Sequence, residues 1–189
     1  MEPATSSERG ETQPSLDSGR PPGWRLQTHG SKMVEQTLEY QFLGQLTAEL
    51  LRRGLDYEVL RSDFDTSGYD VVVEANGVTR HIQLKACVQG GKASKVNVHS
   101  ALASKPSGCL VRMRYDPDSL RITELGWFGD AAAGPLPDVG SRPVRHSKAN
   151  IKQEKAIRPR LRELRVSKIE RLQDVLELAD RLFMDPVVY

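Results

Sequence analysis

Asp70, Gln83 and Lys85 have the side-chain chemistry to hold a hard cation and a phosphate, and their spacing suits one face of a β-hairpin. Asn76-Gly77 between two apolar runs supplies the turn, because both residues of a tight two-residue turn take positive φ. That turn fixes the pairing: Ala75 faces Val78, Val73 faces Arg80, Val71 faces Ile82, and Asp70 faces Gln83. Directly opposed residues, and residues two apart on a strand, share a face. Val71, Val73, Ile82 and Leu84 then make an apolar face. Asp70, His81, Gln83 and Lys85 lie on the other face with Val72. Opposed Cβ atoms stand about 5 Å apart, so the Asp70 carboxylate and Gln83 carboxamide can reach one ion, with Lys85 one pair along. A solvated polar face is the plain alternative.

A fourth group comes from the segment before the hairpin. At about 100° per residue, Leu38, Phe42, Leu43, Leu46 and Leu50 form an apolar arc on a helix, and Glu39 falls inside it. Glu35 points the same way one turn earlier. A carboxylate on an apolar arc is costly unless it is paired or binds a metal. An ion pair with a buried arginine is the competing explanation. Asp65 is a further candidate ligand, set against an ordinary Asx turn. His81 reads first as a structural histidine, and His29, His99 and His146 show no metal-ligand spacing. Gly90-Gly91-Lys92 lacks the pattern of a P-loop.

The elements that must position these groups follow from periodicity. Residues 1–31 are rich in Ser, Thr, Pro, Gly and charge and predict a disordered tail. A helix is expected over 33–53, stopped by Gly54, then a strand over 55–60 and a polar loop over 62–68. Strands at 69–75 and 78–87 form the hairpin. A Gly/Lys-rich loop over 89–95 leads to a helix over 96–105. A second hairpin follows, at 108–115 and 120–128. Ser167 and Glu170 resemble a capping box, opening a last helix that presents Ile169, Leu172, Val175, Leu176, Ala179 and Leu182. The order predicts an α/β domain with a mixed sheet.

The segment Glu39-Tyr-Gln-Phe-Leu…Leu-Leu-Arg-Arg-Gly54…Gly68-Tyr-Asp70-Val-Val-Val…His-Ile-Gln83-Leu-Lys85 resembles the PD-(D/E)XK nuclease superfamily, in its variant with Gln in place of the second acid. Tyr69 stands where the motif has Pro. The resemblance spans about residues 33–128. It implies a restriction-endonuclease-like mixed sheet flanked by helices, with a nuclease core over 32–128. A Pro/Gly loop over 129–143, and a basic segment with the terminal helix over 144–189, complete the expected organisation. It also implies a magnesium-dependent endonuclease of repair or defence type, with Mn2+ as the other candidate ion. Asp70, Glu39 and Gln83 would be the metal ligands and Lys85 the charge-stabilising group, so that Asp70, Gln83, Lys85 and Glu39 form the catalytic set. Gln83 in place of an acid leaves this site with less negative charge. Members often act as dimers, so a homodimer is open.

Charge and composition agree with a polyanionic partner. The 189-residue chain carries a net +2, but residues 142–171 hold eleven Lys or Arg against three Glu. Such a block favours nucleic acid, DNA first. Lys92 and Lys95 near the expected site, and the alternating Arg158, Arg160 and Arg162, are the candidate contacts; Lys148, Lys152 and Lys155 share a helical spacing. Two cysteines outside any C-x-x-C pair, no apparent leader and no apolar run long enough to span a bilayer predict a cytoplasmic chain without a membrane partner. Two other functions compete with a nuclease: a nucleic-acid-binding protein on the same fold with a degenerate site, and an interaction protein whose polar face is incidental.

Overall fold

Val34, Leu38, Phe42, Leu46 and Leu50 recur every four residues and are buried along one side of helix α1, Ser31–Arg52. The computed structural model describes residues 31–62, 67–132, 134–145 and 156–184. The expected tail before residue 31, and Asp65, His29, His146, Lys148, Lys152 and Lys155, lie outside them. Gly54 ends α1 as expected. Its φ is 72°, and Leu55 N–H reaches back to Leu50 O while Gly54 N–H reaches Leu51 O, the Schellman pattern that satisfies the last carbonyls. That closure occupies Leu55, so strand β1 starts later than expected, at Tyr57–Arg61.

Strands β2 (Val71–Ala75) and β3 (Val78–Val88) meet at Asn76-Gly77, with φ values of 51° and 74°. Their register runs from Ala75↔Val78 to Val71↔Ile82. A segment expected to be helical, 96–105, is instead strand β4, Lys95–His99, followed by a 3-10 turn at Ser100–Ser104. Val96 and Val98 alternate with polar neighbours and pair with a strand more than sixty residues away. No local pattern announces that pairing, so the helical reading fails there.

Strands β5 (Gly108–Tyr115) and β6 (Ile122–Phe128) form the second hairpin. Then come β7 (Pro143–Arg145), β8 (Ile157–Arg165) and β9 (Glu170–Leu172). Helix α2 is Val175–Phe183. The expected capping box at Ser167 and Glu170 is not one, because Glu170–Leu172 pairs with β6 as an edge strand. The cap lies seven residues on: N-cap Asp174 accepts from Glu177 N–H at 3.0 Å, and Glu177 reaches back to accept from Gln173 N–H, one residue before the cap, at 2.8 Å. Leu176, expected on the docking face, is 43% exposed.

The result is an α/β fold with a mixed sheet flanked by helices. Six strands lie in the order β1-β2-β3-β5-β6-β9, with β3 and β5 parallel and the other neighbours antiparallel. Helices α1 and α2 cover one face through a core that includes Val71, Val73, Ile82, Val111 and Leu172. On the opposite face a second sheet, β4-β8-β7, packs through Val98, Leu102, Leu110, Phe128 and Leu164.

Two buried charges tie the helices down. Arg80 is fully buried on the helix face. Its guanidinium donates to Leu182 O at 2.6 Å, Arg181 O at 2.9 Å and Asp130 O at 3.0 Å, and lies 5.5 Å from the Trp127 ring. Burial lowers its pKa, and the carbonyls ending α2, negative by the helix dipole, offset that cost. Asn76 adds a bond to Phe183 O at 2.9 Å. Glu49, 5% exposed on the apolar side of α1, is held by Arg52 and Arg53, and Arg53 also reaches Asp180 of α2. The Arg-Arg-Gly that ends α1 is therefore a clamp between the two helices.

Candidate active site

The hairpin ladder stops at Val71↔Ile82. Asp70 N–H then donates to Ile82 O at 2.9 Å, so Asp70 and Val71 both stand against Ile82. This one-residue slip has the pattern of a β-bulge, a device that re-aims side chains, and Asp70 does not continue the straight register toward Gln83. The Leu84 N–H, beyond the end of the ladder, is taken up by Asp70 Oδ2 at 2.6 Å. That charge-assisted bond fixes the carboxylate beside the backbone of β3. From Leu84 onward β3 keeps β5 on one side and has lost β2 on the other.

A cleft of about 690 Å3 opens along that free edge. Helix α1 lines it with Glu35 and Glu39, the end of β1 with Arg61 and Ser62, the start of β2 with Asp70, and β3 with Leu84, Lys85 and Ala86. The structure thus brings Glu35, Glu39, Asp70 and Lys85, from three separate elements, to one opening. Glu39 is 17% exposed and pairs with Arg61, whose Nη2 lies 2.6 Å from Oε1. Arg61 also donates to Tyr40 Oη at 3.0 Å and lies 4.7 Å from that ring. The ion pair weighed for Glu39 is therefore present, although its partner is half-exposed at the cleft wall.

Gln83 is placed differently. It is 2% exposed, does not line the cleft, and its Oε1 accepts from His99 N–H at 3.1 Å. Its side chain therefore lies on the far face of the sheet, toward β4. Both histidines of this region are bonded to backbone. His81 Nδ1 bonds Pro106 O at 2.8 Å and packs edge-on against Tyr69, and His99 Nδ1 accepts from Ala101 N–H at 3.2 Å. Cys109 is buried in the core, where burial pushes its thiol up to about 12.

The other basic candidates lie away from the cleft. Lys92 is exposed in the loop after β3. Lys95 is paired with Glu163 at 2.7 Å. Arg158 and Arg160 are exposed on β8, in the extended strand expected for them, while Arg162 turns back to Pro159 O at 2.6 Å. The buried Arg80 and Glu49 were missed in the sequence. Glu49 carried a signal: it stands seven residues after Phe42 on the apolar arc, with arginines three and four positions on.

Among the described residues no three of His, Cys, Asp and Glu converge into a cation cage. Magnesium does not need one. It prefers oxygen donors, keeps several waters, and is commonly held by one or two carboxylates plus substrate phosphate. Asp70, fixed by Leu84 N–H, and Glu39, which lines the same cleft, are donors of that type.

No family model matches this chain, and no curated protein matches it. Among solved structures, a bacterial homing endonuclease, I-Ssp6803I, is similar over 67% of this chain and 83% of that one, at 16% identity and a TM-score of 0.32. A superposition this loose assigns neither fold nor activity. No described helix is long and apolar enough to cross a membrane.

Proposed function

We propose that this chain is a metal-dependent nuclease of restriction-endonuclease-like fold that hydrolyses phosphodiester bonds, with DNA as its first substrate and the cytoplasm as its setting. One observation carries the reading: the cleft at the free edge of β3, where Asp70, Glu39 and Lys85 arrive from different elements. Asp70 and Glu39 would hold a Mg2+ or Mn2+ ion, with Glu35 as a water-bridged neighbour. Such an ion polarises a phosphate and lowers the pKa of a bound water. Lys85 brings positive charge to the place where the phosphoryl oxygens gain negative charge. Arg61, at the same wall, holds Glu39 in place and adds a second cation facing the opening. Gln83 positions β3 by its bond to β4 and is not assigned as a direct ligand.

The second reading, a nucleic-acid-binding protein with an inactive site, draws on the Glu39–Arg61 pair, which already satisfies one expected ligand. Titrating Mg2+ and Mn2+ against supercoiled and branched DNA separates the two. Cleavage that rises with added metal and disappears with chelator supports the nuclease. Binding without cleavage at any metal concentration favours the second reading.

A further inference from the structure

The far face of the large sheet carries a row of cations beside the cleft. Lys85 of β3 is in register with Arg112 of β5, Arg112 with Gly126 of β6, and Gly126 with Arg171 of β9. Alternation puts these on the face opposite the helices. Leu110, two before Arg112, belongs to the core under the second sheet, while Leu172, next to Arg171, belongs to the helix-side core. In the next row Arg114 stands against Glu124. Gly126 lets Ile169 pack over the middle of the row, since a Cβ there would lie 2.9 Å from Ile169 Cγ2 and 3.5 Å from Arg112 Cβ.

The charges in this patch do not balance internally. Among the described residues, Glu124 is the carboxylate that faces three guanidinium groups: Arg171 Nε at 3.1 Å, Arg114 Nε at 3.7 Å and Arg112 Nη1 at 3.9 Å. The last two distances are too long for hydrogen bonds. Arg112 is 6% exposed, yet its Nε has no hydrogen-bond partner among the described residues, and neither has Arg114 Nε. The Glu124 carboxylate shared among these three cations leaves the patch net positive, and a net positive surface attracts an anion to its exposed side.

We propose that Lys85, Arg114 and Arg171, with the buried Arg112 behind them, form a phosphate track that holds the nucleic-acid backbone next to the scissile bond. The proposal rests on Lys85 belonging to a nucleic-acid site. Three inter-strand gaps of 4.7–4.9 Å set the row at about 14 Å from β3 to β9, long enough to meet more than one phosphate of a single strand. The track commits to backbone contacts, which position the ligand without reading sequence.

The test is binding of a short synthetic DNA duplex to the full chain in EDTA, measured over a salt series, for the wild type, Arg114→Gln, Arg171→Gln and Arg121→Gln. Arg121 is an exposed cation at the turn into β6 and serves as the charge-matched control. Each lost backbone contact reduces the slope of log binding constant against log salt by about 0.9. Arg114→Gln and Arg171→Gln are expected to show that loss and Arg121→Gln to show none. Glu124→Gln, folded by circular dichroism, is expected to bind more tightly than wild type, a gain that a purely structural carboxylate does not give. Slopes for Arg114→Gln and Arg171→Gln equal to those of wild type or of Arg121→Gln overturn the track. If DNA is still cut with metal in that case, the proposed hydrolysis stands without it. The expected slopes with no cutting at any metal concentration keep the track and sink the hydrolysis.

Discussion

At the scale of single residues, Asp70 combines two tasks that substitutions can separate. Its Oδ2 accepts the Leu84 N–H at 2.6 Å, so part of any loss in Asp70→Ala is structural. Asp70→Asn keeps an acceptor for that N–H and removes the charge, and is therefore the cleaner probe. Glu39 and Glu35 differ in the same way. Glu39 is held by Arg61 at the cleft wall, and Glu35 is exposed nearer the helix start. Glu39→Gln is expected to lower metal-dependent cleavage more than Glu35→Gln in parallel kinetics at saturating Mg2+. A dead Glu35→Gln with an active Glu39→Gln reverses the assignment and makes the Glu39–Arg61 pair a plain surface bridge. Gln83 belongs to a different account. Gln83→Leu leaves the buried His99 N–H without its acceptor, a loss of about 1–3 kcal/mol that denaturant unfolding reads directly. Unfolding at the wild-type midpoint would show that this bond contributes nothing.

At the scale of elements, helix packing depends on the Glu49 clamp. Arg52 and Arg53 hold the Glu49 carboxyl down from 4.5 to about 2 through hydrogen bonds. A carboxylate with a depressed folded pKa contributes stability above its unfolded value and loses it as pH falls through the folded one. The window is therefore pH 4.5 down to about 2. Glu49→Gln is expected to weaken the wild type's loss of stability in that window, measured as unfolding midpoints across the acid range. Parallel curves for the two proteins would remove Glu49 from the account. The elements also show what was legible in the sequence. Asn76-Gly77, the apolar arc of α1 and Gly54 were readable because each is a local rule of backbone conformation or helical period. The hairpin register was readable up to Val71↔Ile82 and failed at Asp70, where the end of β2 lets the chain slip. Strand β4 and edge strand β9 were not readable, since their partners lie far off in sequence and Ser167-x-x-Glu170 imitates a cap that Asp174 makes. Glu39, Asp70 and Lys85 were legible as a group; the buried place of Gln83 needed knowledge of where β4 packs.

At the scale of the molecule, two helices lie on one face and a second sheet on the other, and among the described residues a cleft opens at the end of β3. The chain's excess of basic residues after position 141 is partly spent internally, with Arg142 on Glu163, a carboxylate that Lys95 also holds. Arg158 and Arg160 remain exposed, whereas Arg162 folds back on its own strand. Replacing Arg158 and Arg160 with Gln is expected to lower the salt slope of duplex binding by up to about 1.8, at about 0.9 per contact, and to leave the cleavage rate at saturating DNA unchanged. A salt series identical to wild type would make this strand an ordinary solvated surface. The central claim is that the cleft at the end of β3 performs metal-dependent hydrolysis. Its most direct test is the single-turnover cleavage rate of DNA with Mg2+ for wild type, Asp70→Asn and Lys85→Ala, each with native circular dichroism. The account predicts that the wild type cuts and that each variant is slowed roughly 100–1,000-fold. Near-wild-type rates in both folded variants, or no metal-dependent cutting by the wild type, would contradict it.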